Sequence, residues 1–178
     1  YASIGFGAIS STSIPNIHAD LVNELIIADC AGFLDTRNYQ QEIINAFSID
    51  YLLSASAVDN KIKILFVFPG GTKDRDQVFI KSFDQLHKTF PNLQDLKKVI
   101  GLVITQANDY FSGTDLLKQL DSDNMNTELK EFIHYFMTHE DQVFCFPEAL
   151  PQNINQNYDF EDHDKLMYFI LNNYKKNP

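Results

Sequence analysis

Five apolar runs of strand length, separated by segments with helical periodicity, narrow what this chain can fold into more than any other feature. That alternation is the pattern of an α/β fold with a mainly parallel sheet, because parallel neighbours need a crossover and the crossover is usually a helix. The strongest run is Lys61 to Phe68, rich in β-branched and aromatic residues and closed by Pro69-Gly70-Gly71. Val99 to Thr105 and Gln142 to Phe146 are nearly as apolar, Glu24 to Ala28 is shorter, and Ser3 to Ile9 is the weakest. Near-continuous apolar runs of this kind are expected of strands covered on both faces.

Four helices are expected in the gaps. Tyr39 to Ala57 places Ile43, Ile44, Phe47, Leu52 and Leu53 close to one face. Asp76 to Thr89 does the same with Val78, Phe79, Phe83 and Leu86 and is stopped by Pro91. Thr127 to Thr138 carries Leu129, Phe132, Ile133, Phe136 and Met137, and Asp162 to Tyr174 carries Leu166, Phe169, Ile170 and Tyr174, with Asp162 as a cap. The Phe and Tyr residues fall mostly on these apolar faces and are assigned to the core.

Composition sets the outer limits. A chain of 178 residues, 44% hydrophobic and 13% aromatic, is long and apolar enough to bury a core as one domain. Its formal net charge of −10 argues against a nucleic-acid partner, which needs clustered Lys and Arg, and Lys175-Lys176 is too small a cluster to reverse that. Cys30 and Cys145 sit in or beside apolar runs and read as buried free thiols in a reducing, cytoplasmic setting. No apolar run approaches the roughly 18 residues of a membrane span. The start at Tyr1, without Met or a signal-peptide pattern, reads as that of a processed or truncated segment.

Chemistry concentrates in the stretch Leu25-Ile26-Ile27-Ala28-Asp29-Cys30-Ala31-Gly32-Phe33. A strand that ends in an aspartate, with a glycine three residues later, suits a phosphate-and-magnesium site. The carboxylate can hold the metal's water shell, and the glycine N–H can approach a terminal phosphate with no Cβ in the way. Elsewhere the signals are bland. His18, His87, His134, His139 and His163 show no metal-ligand spacing, there is no Cys-x-x-Cys, and no Gly-x-Ser-x-Gly elbow is present. Pro69-Gly70-Gly71-Thr72-Lys73 lacks phosphate-loop spacing and reads as a turn.

In order, a Thr-bearing loop (Ser10-Ser11-Thr12-Ser13), the Asp29-Cys30-Ala31-Gly32-Phe33 run, a buried strand, and Thr105-Gln106-Ala107-Asn108 after another buried strand resemble the P-loop GTPase superfamily. The flavour is closest to septin-like and immunity-associated GTPases, including large protist relatives. Their Asp-x-Pro-Gly-Phe-x-Asp-x-Arg-Gly run corresponds to Asp29 to Asn38, with Ala31 for Pro and Asn38 for Gly.

The resemblance implies a three-layer α/β/α, P-loop NTPase-like fold, residues 1–178 forming a single, partial G domain that lacks the first strand and the P-loop. It also implies GTP/GDP and Mg as ligands. Asp29 would hold magnesium through water, Thr12 would give its hydroxyl to the metal, and Gly32 would offer its N–H to the γ-phosphate. Thr105, Gln106 and Asn108 would stand at the base, while Arg37 reads as a surface charge.

At the base, Asn108 replaces the family's Asp. An amide offers one acceptor and turns an NH2 toward a guanine donor, at a cost of about 1–3 kcal/mol for the unsatisfied group. Base reading is therefore degraded, or Asp109 takes over with a shifted loop. With no first strand, the strands ending at Asp29 and Phe68 flank an empty slot. An upstream segment fills it, a partner chain donates a strand, or the two strands pair directly in a reduced pseudo-GTPase. Two functions follow: a Mg-GTP-binding switch domain, hydrolysing slowly if a P-loop lies upstream, or a non-catalytic structural or protein-interaction domain. Protein partners or self-association are expected in both.

Overall fold

The computed structural model describes residues 14–32, 39–56, 62–70, 80–84, 86, 96–107, 117–118, 125–147 and 161–171. It is mixed α/β, and compactness divides it into two units, Tyr1–Ile62 and Lys63–Pro178. The expected strand Ser3 to Ile9, and much of the helix expected over Asp76 to Thr89, lie outside the described residues.

In the first unit, β1 (Asn16–Asp20) and β2 (Leu25–Asp29) form an antiparallel hairpin, in register from Asn16 opposite Asp29 to Asp20 opposite Leu25. The turn is built by Asp20. Its Oδ1 accepts from the backbone N–H of Val22 and Asn23 at 3.0 and 3.2 Å, and its Oδ2 accepts from the Asn23 amide at 2.7 Å. Those bonds hold the Asp20 carboxyl below its ordinary range. Glu24 has φ 54° and belongs to the turn. The second expected strand therefore begins one residue later than Glu24 and runs one residue past Ala28, to include Asp29.

Helix α1 (Tyr39–Ser56) follows. Its expected inward face is corrected in part by the structure: Ile43, Ile44 and Phe47 are exposed, as is Tyr51, while Leu52 and Leu53 are half-buried. Among the described side chains of the helix Asn45 is the buried one, its Oδ1 accepting from Gln41 Nε2 at 2.9 Å. Apolar residues surround this helix, so no single stripe selects a buried side.

The second unit holds a parallel sheet of β3 (Ile64–Pro69), β4 (Ile100–Ala107) and β5 (Val143–Pro147), with β4 in the middle. Helices α2 (Thr127–Thr138) and α3 (Glu161–Leu171) accompany it, and residues 80–84 are helical. Val103, Phe144 and Phe169 pack together with Phe146, Leu166 and Ile170, which seats α3 on one face of the sheet. A Cβ at Gly101 would meet Phe144, Phe169 and Leu65 at 2.9–3.1 Å, so a side chain there would displace that packing. The opposite parity, Ile100, Leu102 and Ile104 on β4 with Phe66 and Phe68 on β3, is buried too. The ring of Phe132 on α2 lies 4.4 Å from Phe83 and 4.7 Å from Phe136.

The central strand is thus covered on both faces as expected, but β3 is not: Leu65 and Val67 are exposed. Two short contacts tie α3 to β5. Asp162 does not cap its own helix; its Oδ2 accepts from the Cys145 N–H at 2.8 Å, and Lys165 Nζ donates to the Val143 carbonyl at 2.9 Å. Lys63 Nζ sits 3.9 Å from the centre of the Phe169 ring. Among the described residues, no helix is long and apolar enough to cross a membrane.

Candidate functional site

Hairpin geometry decides where Asp29 is presented. It is the last residue of β2, opposite Asn16, and its side chain is exposed. The chain leaves the ladder at Cys30, buries Ala31, and reaches Gly32, where a Cβ would meet nothing within 4 Å. Carboxylate and open backbone thus lie on one short segment, three residues apart. Between them, Cys30 is half-buried, and burial followed by the nearby Asp29 charge pushes its thiol up. It is therefore a poor thiolate nucleophile or metal ligand. Thr12 lies outside the described residues, so its expected place at the metal is not described.

In the other unit, the C-terminal ends of β3 and β4 meet. Pro69 pairs with Thr105, the Gly70 N–H donates to the Thr105 carbonyl at 2.6 Å, and Thr105 Oγ1 donates to the Phe68 carbonyl at 3.5 Å. Gly70 is a bend after the strand, in line with the turn expected there. Gln106 is exposed and has φ 55°, and the ladder with β5 shifts by one residue between Ile104 and Ala107. A non-glycine residue in the left-handed region is uncommon and needs its surroundings to hold it. Thr105 lies in the strand, as expected of the run Val99 to Thr105, and Gln106 belongs to it too, in a bulge, rather than to the loop expected after it. Asn108 lies outside the described residues.

The structure brings together Asp29 and Gly32 in one unit, and Thr105, Gln106 and Gly70 in the other. The Pro-Gly-Gly punctuation after Phe68 signals the strand end, and the structure adds the bond from Gly70 to Thr105 that ties it to β4. Strand β2 pairs with β1 in the first unit, and β3 pairs with β4 in the second. Each of β2 and β3 has an edge with no strand partner among the described residues.

As a magnesium site, the segment meets one requirement. Among the described residues, no three His, Cys, Asp or Glu side chains converge as a metal cage. Mg2+ keeps several waters and takes one or two carboxylates plus phosphate oxygens, so a single exposed carboxylate beside an open backbone is compatible with that mode of binding. No family model, curated protein or solved structure matches the chain.

Proposed function

We propose that the chain is the greater part of a cytoplasmic, three-layer G domain of the septin-like or immunity-associated type. It binds Mg-GTP once a phosphate-binding strand and loop are supplied, and hydrolyses it slowly. The observation that carries this reading is the hairpin that ends in an exposed Asp29 with the unobstructed Gly32 backbone three residues on. Further support comes from β3. Its outer edge has no strand partner among the described residues, and Leu65 and Val67 on it are exposed, which leaves room for one more parallel strand and a covering helix.

The bound metal would neutralise charge on the phosphates. Asp29 would hold it through water, with the Thr12 hydroxyl as a further ligand, and the Gly32 N–H would donate to the γ-phosphate. Catalysis in such a site is positioning and electrostatic stabilisation, with no covalent role for the protein. Thr105, Gln106 and Asn108 would line the base. Because an amide stands where a carboxylate is best, guanine discrimination is weak, and Asp109 is the competing acceptor.

The experiment is thermal unfolding of the full-length polypeptide with Mg-GTP. At about a hundredfold excess over Kd the gain is about 2.7 kcal/mol, or about 5–10 °C for a domain of this size. Asp29→Asn removes the magnesium-dependent part of that shift. Absence of any shift at millimolar GTP overturns the reading. It leaves the second one, a pseudo-GTPase serving as a protein-interaction domain, which the exposed apolar residues of α1 favour.

A further inference from the structure

Within the first unit, the start of the hairpin and α1 enclose an open apolar groove of ≈ 420 Å3, lined by Pro15, Ile17, Phe47, Ser48, Tyr51 and Leu52. Phe47 and Tyr51 are each 74% exposed and Ile17 53%. Two aromatic rings left in water on one side of an eighteen-residue helix are a large unburied apolar surface. Ile44, Phe47 and Tyr51 stand three and four residues apart along α1, the spacing at which one helix reads another.

Charge says what covers it. The first 62 residues carry seven acids, Asp20, Glu24, Asp29, Asp35, Glu42, Asp50 and Asp59, against only Arg37 and Lys61. Asp50 is exposed and stands one turn along the helix from Phe47, within reach of a partner laid over that ring. Among the described residues of this unit there is no Lys or Arg. An anionic membrane is repelled by such a surface, and so is a second copy of a chain whose formal charge is −10. A helix that is apolar on one side and cationic on the other satisfies both the rings and the acids.

We propose that this groove docks a basic amphipathic helix from a partner protein, with its apolar side chains between Ile17, Phe47 and Tyr51 and its Lys or Arg beside Asp50. The docking does not depend on nucleotide, so it stands or falls separately from the GTPase reading.

The probe is a short fluorescein-labelled peptide of Leu and Lys at helical period, titrated with the chain and followed by fluorescence anisotropy. The expected result is saturable binding that weakens with added salt. Phe47→Ser and Tyr51→Ser each weaken it about tenfold, as truncation of an anchor residue does. Asp50→Lys weakens it less and flattens the salt dependence. Circular dichroism confirms that the variants stay folded. The proposal is overturned if the peptide does not bind, if a scrambled or a Leu/Glu peptide binds equally well, or if Phe47→Ser changes nothing. It is also overturned if sedimentation equilibrium finds a dimer that Phe47→Ser dissociates, or if neutral vesicles pull the chain down through Phe47. Either result would give the groove to another occupant.

Discussion

Helices α1 and α2 are built from similar residues and are used in opposite ways. On α2, Leu129, Phe132, Ile133 and Phe136 fall on one stripe and are all buried, two of them completely. On α1, Ile43, Ile44, Phe47 and Tyr51 face outward while, among its described side chains, a polar residue, Asn45, is the buried one. Hydrophobic content is not what separates them. Phase is: α2 repeats its apolar residues at the helical period, and α1 carries them all round. A helix of the second kind needs more than one neighbour, and the first unit supplies too few. The second unit, by contrast, brings partners from outside the helix to α2, the Phe83 ring to Phe132 and the Gln142 amide to Tyr135.

Four substitutions sharpen or break that contrast, each read as a change in the midpoint of chemical denaturation followed by circular dichroism. Phe132→Ala removes a completely buried ring that touches Phe83 and Phe136, and is expected to cost about 3–5 kcal/mol. Next comes Gln142→Leu. Its amide donates to the carbonyls of Lys97 and Ile100 at 3.0 and 2.6 Å, and its carbonyl accepts from the Tyr135 hydroxyl at 2.8 Å. Loss of all three leaves buried acceptors unmet and should cost about 2–3 kcal/mol.

Asn126→Ala deletes the cap of α2, whose Oδ1 accepts from the Leu129 N–H at 2.8 Å, for about 1 kcal/mol. Phe47→Ser is the smallest: an exposed ring on α1 should change stability by less than about 0.5 kcal/mol. If Phe47→Ser costs as much as Phe132→Ala, the contrast between the helices is gone, because α1 would then be covered in the chain as it exists in solution.

What the residues announced in advance follows the same physics. Helix α2 was readable because its apolar residues repeat at the helical period. Three parallel strands were readable because Val, Ile and Phe run uninterrupted through them. Strand β1 was not, since Asn16-Ile17-His18-Ala19-Asp20 has little strand preference of its own and is held by pairing with β2 and by the Asp20 turn. The exposure of Leu65 and Val67 was hidden for a related reason. An apolar run states that a strand wants covering on both faces and cannot state which cover is present.

For the candidate site, the placement of Asp29 at a strand end was legible because the apolar run Leu25 to Ala28 closes on a carboxylate. The placement of Gln106 inside a bulge was not legible, because a left-handed glutamine carries no compositional signal.

That bulge has a consequence for the whole end of β4. Up to Ile104, even-numbered residues share the face that Val143 and Cys145 occupy on β5, since Leu102 stands opposite Val143 and Ile104 opposite Cys145. Beyond it, Ala107 stands opposite Pro147, so odd numbers now fall on that side. Gln106 thus works as a phase shifter in the strand's two-residue rhythm. Losing the bulge without losing a residue would set Gln106 opposite Pro147 and turn Ala107 to the other side of the sheet, whereas deleting one residue there would leave Ala107 opposite Pro147. The side of the sheet on which Ala107 is buried is therefore set by a count of residues in the bulge.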